Sequence, residues 1–424
     1  MIYPAIHRVL MILYTVLPAA MFIVSIRRSV KSQSAAPVIS FFITCFSAVI
    51  LGTASVILSA VLLQGRVLMG QIVQSWYFLL GLLCMMGAFR SVVRMGINRI
   101  FSVPLYPNGR PTNPAGLRAT VAFLVQSILL FIVGFPFIIG TMLVHRTRVH
   151  SADTPMSLAG CDGESVSFAA TDGPVIAGWW IPADPVQPRH DEDQMGHRTV
   201  LLCCTIGDDL KHQAGLLRLL VNEGYHVLAI DLRGNGDSDG QWAGFGAVEY
   251  RDVLGAVRWL KNNHPREALR IYGVGGGVAG AALITAAVDP SGDGQAIDAL
   301  AVYGVYADFT AVSRSILADR VSAPFRAWAL KTLLPVASAH AGVDLTHYAP
   351  AKLVDRLWPR PILVIHGRGD SVVPFSEGMD LFRAAAFPKR SLWLPGNHTA
   401  IYQDRRGASI LLQFLEHAHS IPAI

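Results

Sequence analysis

The sequence predicts two different structures in one chain: an N-terminal helical transmembrane region with four helices, followed by an α/β domain with a mainly parallel sheet. Three observations carry this. Charge is segregated, because residues 1–150 hold 12 Lys/Arg and no Asp or Glu, while the other 23 basic residues share 151–424 with all 29 acidic ones. Long apolar stretches without charged residues crowd the first part. Short Val/Ile/Leu runs alternate with helical periodicity in the second, as strand–helix units do. A composition of 52% hydrophobic and 15% charged residues excludes a disordered or collagen-like chain. The net charge of +6 describes neither part. Basic residues flank the apolar runs, which points to membrane topology and away from nucleic acid.

The apolar stretches are Val9–Ser25, Val38–Leu63, Val67–Phe89 and Ala119–Val144. A helix needs about 20 such residues to cross a hydrocarbon core, and backbone amides in lipid must be satisfied within the helix. The first stretch also resembles a signal peptide, with Pro18-Ala19-Ala20 as a small-residue cleavage site, but Arg27, Arg28 and Lys31 follow it as a stop signal would. Those three residues, with Arg90, Arg94, Arg99 and Arg110, outnumber Arg8, Arg66, Arg146 and Arg148 on the opposite side. The positive-inside rule then puts both termini outside the cytoplasm, and the expected location is the plasma membrane with the C-terminal domain on its non-cytoplasmic face. The polar exceptions within the spans, Gln71, Gln74 and Gln126, fit helix–helix hydrogen bonds. The region reads as an anchor over 1–145, with the lipid bilayer as its partner.

A linker at 146–163 leads into the α/β domain, expected over 164–420. Glu164–Ala170 and Val175–Ile181, separated by Thr171-Asp172-Gly173, read as a hairpin. Val200–Cys204, His226–Asp231, Leu269–Val274, Ala299–Tyr303, Ile362–His366 and Ser391–Leu394 read as further strands, mostly without alternation, as in a sheet covered on both faces. Helical periodicity fills Leu210–Glu223, Val248–Asn262, Val278–Val288, Glu377–Ala386 and Thr399–His417. Residues 309–347 exceed a simple connection and read as inserted lid helices, with Phe325 and Trp328 as pocket or core aromatics. The five cysteines show no paired framework or zinc spacing. No metal or organic cofactor is implied. Ligands of such sheets gather beyond the carboxyl ends of the strands.

Four motifs occupy those ends in order. They are Asp231-Leu-Arg-Gly-Asn-Gly-Asp-Ser-Asp-Gly240, Tyr272-Gly273-Val274-Gly275-Gly276-Gly277, His366-Gly-Arg-Gly-Asp370-Ser-Val-Val-Pro374 and Gly396-Asn397-His398. Together they resemble the α/β-hydrolase superfamily, in its branch of prolyl-oligopeptidase-like peptidases and acyl esterases, over about 164–418. The resemblance implies a nucleophile elbow at the strand-to-helix turn Tyr272–Gly277, an acid at Asp370 and a base at His398. In that machinery the histidine takes the nucleophile's proton and the carboxylate orients the histidine.

The expected nucleophile position is Gly275, and Ile271–Ile284 contains no Ser, Thr, Cys or Asp. The oxyanion loop differs too, with Cys203-Cys204-Thr205-Ile206-Gly207 where the family usually has His-Gly. Whether the protein is an enzyme therefore stays open. On one reading it is a pseudoenzyme that binds a small acyl, peptide or lipid ligand, with Cys204, Thr205 and Gly276 as binding positions. On the other it is an atypical membrane-bound hydrolase (esterase, thioesterase or peptidase). That enzyme would use His398 and Asp370 with water or a displaced nucleophile such as Cys204 or Thr205.

Overall fold

The computed structural model describes residues 2–33, 35–62, 76, 79–81, 83–85, 87, 140–141, 144–145, 154–183, 197–204, 210–318, 323–398, 401 and 405–418. The chain divides into two compact units, one of residues 1–143 with 331–342, the other of residues 144–330 with 343–424.

In the first unit, α1 (Ile2–Ser32) and α2 (Ala36–Leu62) pack together, with Phe22 and Phe41 rings 5.2 Å apart. His340 and Thr141 are buried and share a 2.8 Å hydrogen bond between Nε2 and Oγ1. Among the described residues no helix is long and apolar enough to cross a membrane. The four-span expectation is therefore not carried by them. In α2 the side chains beyond Ile50, Thr53 excepted, are not described. The expected third and fourth spans, and residues 146–153 of the expected linker, lie mostly or wholly outside the described residues.

The second unit holds an eight-stranded sheet in the order β1-β2-β4-β3-β5-β6-β7-β8. Its strands are β1 (Glu164–Ala169), β2 (Val175–Ile181), β3 (Arg198–Cys204), β4 (His226–Asp231), β5 (Arg270–Gly276), β6 (Ile297–Tyr303), β7 (Ile362–Gly367) and β8 (Lys389–Leu394). Only β2 runs against its neighbours, and β3 through β8 are parallel. The apolar runs become strands because both faces are covered. Leu216, Leu217 and Leu220 of α4 (Leu210–Asn222), with Leu411, Phe414 and Leu415 of the C-terminal helix (Arg405–His417), cover one face. They meet Val200, Leu202, Cys204, Val274, Ala301 and Ile365 there. Each fully buried leucine contributes about 1.5–3 kcal/mol. The other face takes α5 (Tyr250–Asn263) and α6 (Gly277–Ala287), which pack on each other. A short α3 (Pro155–Ala159) precedes the hairpin and is closed by a Thr154–Ser157 capping box.

The expected insertion is helical, with α7 (Phe309–Ala318) started by Asp308 Oδ1 accepting from Ala311 N at 2.8 Å, then α8 (Ala323–Ala341). Trp328 is half-buried, and the Phe325 side chain lies outside the described residues. α9 (Phe375–Ala384) follows β7, and the helix over Arg405–His417 is α10.

Candidate active site

Parallel β3–β8 deliver their carboxyl ends, and the loops that follow, to one edge of the sheet. The loop after β4 is structural. Arg233 is 7% exposed and clamps two carboxylates, with Nη2 2.6 Å from both Asp252 Oδ1 and Asp172 Oδ1. The two carboxylates hold that guanidinium firmly protonated. Burial pushes Asp252 up to about 6, against the opposing pull of Arg233. Ser238 donates to Asp231 O and accepts from Ala177 N at 2.8 Å, which ties the loop to β2 and leaves this hydroxyl fully buried.

The loops after β7 and β8 interlock through their backbones. Arg368 N donates to Leu394 O (2.9 Å) and Gly369 N to Gly396 O (2.7 Å). Gly367 lies so close that a Cβ there would be 2.2 Å from Asn397 O. This interlock brings Asp370 and His398 together, with Nδ1 and Oδ2 2.6 Å apart. Asp370 is buried, and its Oδ1 accepts from the amides of Val372 and Val373 at 2.8 Å each. Burial alone would raise this carboxyl's pKa. Hydrogen bonds from His366 and His398, with the His398 charge, outweigh it and hold the group well below the usual range. An ionised carboxylate only accepts, so His398 donates from Nδ1, and the lone pair of the neutral ring sits on Nε2.

The bend falls two residues beyond the expected position. Gly275 lies within the ladder, paired with Cys203 on one side and Val302 on the other, so it turns nothing. β5 continues through Gly276, opposite Tyr303, and the chain turns at Gly277, whose φ is +47°. That left-handed conformation costs an L-residue about 1–2 kcal/mol and glycine nothing. The strand-to-helix turn thus falls at Gly277, which like Gly275 has no side chain. The small-x-elbow-x-small spacing Gly275, Gly277, Ala279 fits this register equally well and was the available signal.

Gly276 is required by contact, since a Cβ there would sit 2.1 Å from Cε2 of Tyr303. The Tyr303 hydroxyl accepts from Gln213 Nε2 at 3.2 Å, and Cys204 Sγ donates to Gln213 Oε1 at 3.5 Å, all three side chains being buried. Cys204 is therefore a core residue on the α4 face, which corrects its reading as a binding or nucleophilic position. Cys203 lies on the opposite face, where burial, then the Asp252 charge, pushes its thiol far up. Thr205, with the rest of the expected oxyanion loop to 209, lies outside the described residues.

Gly304 supplies the floor under the His398 ring. It follows Tyr303 at φ +57°, and a Cβ there would meet His398 Cε1 at 2.7 Å. Gly277 and Gly304 each come one residue after a paired position on adjacent parallel strands, whose spacing is about 4.8 Å. The imidazole thus lies one strand from the elbow. Sequence reasoning missed Gly304 and the approach of His366 to Asp370. Among the described residues, no group of three or more His, Cys, Asp or Glu is arranged to hold a metal.

Strand order, elbow, acid loop and histidine loop define an α/β-hydrolase-like domain. The prolyl oligopeptidase family model matches residues 212–393, under half of the chain. Among known proteins, the chain is 24% identical over 245 residues to the uncharacterized protein YfhR of Escherichia coli K12, covering 58% of this chain and 76% of that protein. It is 29% identical over 266 residues to the lysophosphatidylserine lipase ABHD12 of Danio rerio, covering 58% and 65%. A Pyrococcus furiosus esterase structure is similar with a TM-score of 0.52 at 19% identity, covering 65% of this chain and 98% of that one. A hypothetical protein from Pseudomonas aeruginosa is similar with a TM-score of 0.50 at 19% identity, covering 64% and 97%.

Proposed function

We propose that this chain is a hydrolase-fold protein that binds a small acyl, peptide or lipid ligand beside His398 and forms no acyl-enzyme. The observation that carries this is Gly277. It holds the strained corner from which a hydroxyl would attack, and it offers only hydrogen. Without that group a triad loses most of its rate. The ligand would present a hydroxyl, donating to Nε2 of His398, the nitrogen not committed to Asp370. The lipase among the similar proteins makes a single-chain lysophospholipid the first ligand to test.

One observation favours a second reading. The 2.6 Å contact of His398 with an ionised Asp370 is the arrangement of a general base. Such a base activates water directly and contributes about 10²–10⁴-fold without a covalent intermediate.

A serine-reactive fluorophosphonate probe separates the readings. Wild type is expected to stay unlabelled, Gly277→Ser to label, and Gly277→Ser with His398→Ala to lose the label. Hydrolysis of short acyl esters by wild type, abolished by His398→Ala, would overturn the binding-only reading in favour of water attack.

Residues 1–145 we read as an anchor that holds the domain at a lipid bilayer, on the non-cytoplasmic side of the plasma membrane. The support lies in the charge-free apolar stretches and the Lys/Arg asymmetry of the sequence. A reporter fused after Ile424 tests it; a signal from the cytoplasm would reverse the orientation.

A further inference from the structure

Behind the Asp370–His398 pair lies a second imidazole. His366 belongs to β7 and is 1% exposed. Its Nε2 is 2.9 Å from Val373 O and 3.3 Å from Asp370 Oδ2. A carbonyl and an ionised carboxylate both accept, so Nε2 carries the hydrogen. Nδ1 then holds a bare lone pair. It is buried without a hydrogen-bond partner and faces Gly378 of α9, where a Cβ would lie 2.2 Å away. An N–H on that side would point at the helix, so packing fixes the tautomer. The other neighbours do not compete for it. Phe375 meets the ring edge-on at 6.0 Å, Arg368 lies over the Phe375 ring, and Glu377 turns its carboxylate to the amides of Ala307 and Asp308.

The consequence falls on Asp370. Its Oδ1 holds two amides, and its Oδ2 holds His398 Nδ1 at 2.6 Å, with His366 Nε2, whose hydrogen bond goes to Val373 O, in longer contact at 3.3 Å. Three hydrogen bonds and the His366 contact together occupy most of the lone-pair sites of the carboxylate. Rotation of the group breaks several of these bonds together. Oδ2 is thereby held where it must accept from His398 Nδ1.

We propose that His366 is a positioning residue. Its Nε2–H, with the amides of Val372 and Val373, locks the Asp370 carboxylate so that His398 stays in the tautomer that leaves Nε2 open. This rests on the reading of His398 as the proton acceptor of the site, and its test needs neither ligand nor nucleophile.

The measurement is the ring tautomer of His398 by nitrogen-15 NMR of the histidine-labelled full chain, with His398→Ala to assign the signal. Wild type is expected to show Nδ1–H. His366→Leu is expected to yield a mixture with Nε2–H, and His366→Gln, whose amide donates from nearly the same place, to keep the wild-type form. In the Gly277→Ser background, His366→Leu is expected to slow phosphonate labelling about tenfold, as loss of a hydrogen bond to a charged group would, and His366→Gln to restore most of it. A folded His366→Leu protein with His398 wholly Nδ1–H overturns the proposal, as does Nε2–H in wild type. Should His366→Leu fail to fold, a changed His398 tautomer in His366→Gln overturns it instead. Failure of Gly277→Ser to label, with the tautomer shifts as expected, counts against the functional reading alone.

Discussion

Replacing Arg233 by Met is expected to destabilise the hydrolase-like unit severely. The guanidinium contacts Asp252 at Nε (2.9 Å) and Nη2 (2.6 Å), and the Asp252 side chain has no exposed surface. Methionine fills similar volume but leaves that carboxylate with one backbone amide, from residue 233 itself at 2.9 Å. Breaking a buried pair by removing one partner costs about 3–5 kcal/mol. For a unit of this size that is a fall in Tm of roughly 6–20 °C. Asp172 adds less, because it is partly exposed and keeps Arg251 at 3.1 Å. The pH dependence has a definite sign. Asp252 already stands at about 6 with Arg233 present, and losing the cation raises it further. A folded-state pKa above the unfolded value means that the folded form gains stability as the group protonates. The gap between variant and wild type is therefore widest near pH 8 and narrows as pH falls through 6. Tryptophan-fluorescence melts of the full chain at pH 8 and pH 5 read this directly. Adding Asp252→Leu to the variant should recover most of the loss. A single variant within about 1 kcal/mol of wild type at pH 8, or no recovery in the double variant, would refute the electrostatic account.

Two further outcomes follow from the site. Asp370→Asn is expected to cost about 2 kcal/mol at neutral pH. The depressed pKa of Asp370 makes its contribution complete above the ordinary 3.8 and lost as pH falls below it, so melts of variant and wild type should converge in acid; a constant gap would contradict this. Gly276→Ala should cost about 1–3 kcal/mol by overpacking against the Tyr303 ring. Gly292→Ala, with nothing within 4 Å of its Cβ position, should be neutral, and equal melting temperatures for the two would contradict the contact argument.

Much of the second unit was legible because its signals are local. Continuous apolar runs marked strands covered on both faces, and turn residues marked their ends. All eight expected strands lie in the one sheet, and the inserted segment is helical as its length suggested. The pairing of Asp370 with His398 was readable only by resemblance, since no local pattern relates positions 28 residues apart. The elbow was misplaced by two residues because periodicity does not say how far a glycine-rich strand continues. Gly275 and Gly277 look alike until Gly276 is seen paired with Tyr303. Cys204 stands at a strand end, where a displaced nucleophile was conceivable, yet its thiol is buried and hydrogen-bonded to Gln213 of α4.

The sequence by itself determined the α/β layering, the order of the motif loops and the absence of a hydroxyl at the bend, because composition and apolar periodicity are properties of the chain alone. The tertiary structure decided which glycine turns, which imidazole shares the buried carboxylate, and why Gly276, Gly304 and Gly367 tolerate no side chain. Those facts depend on approaches between residues distant in the chain. Such approaches exist only once neighbouring strand ends are brought within hydrogen-bonding reach.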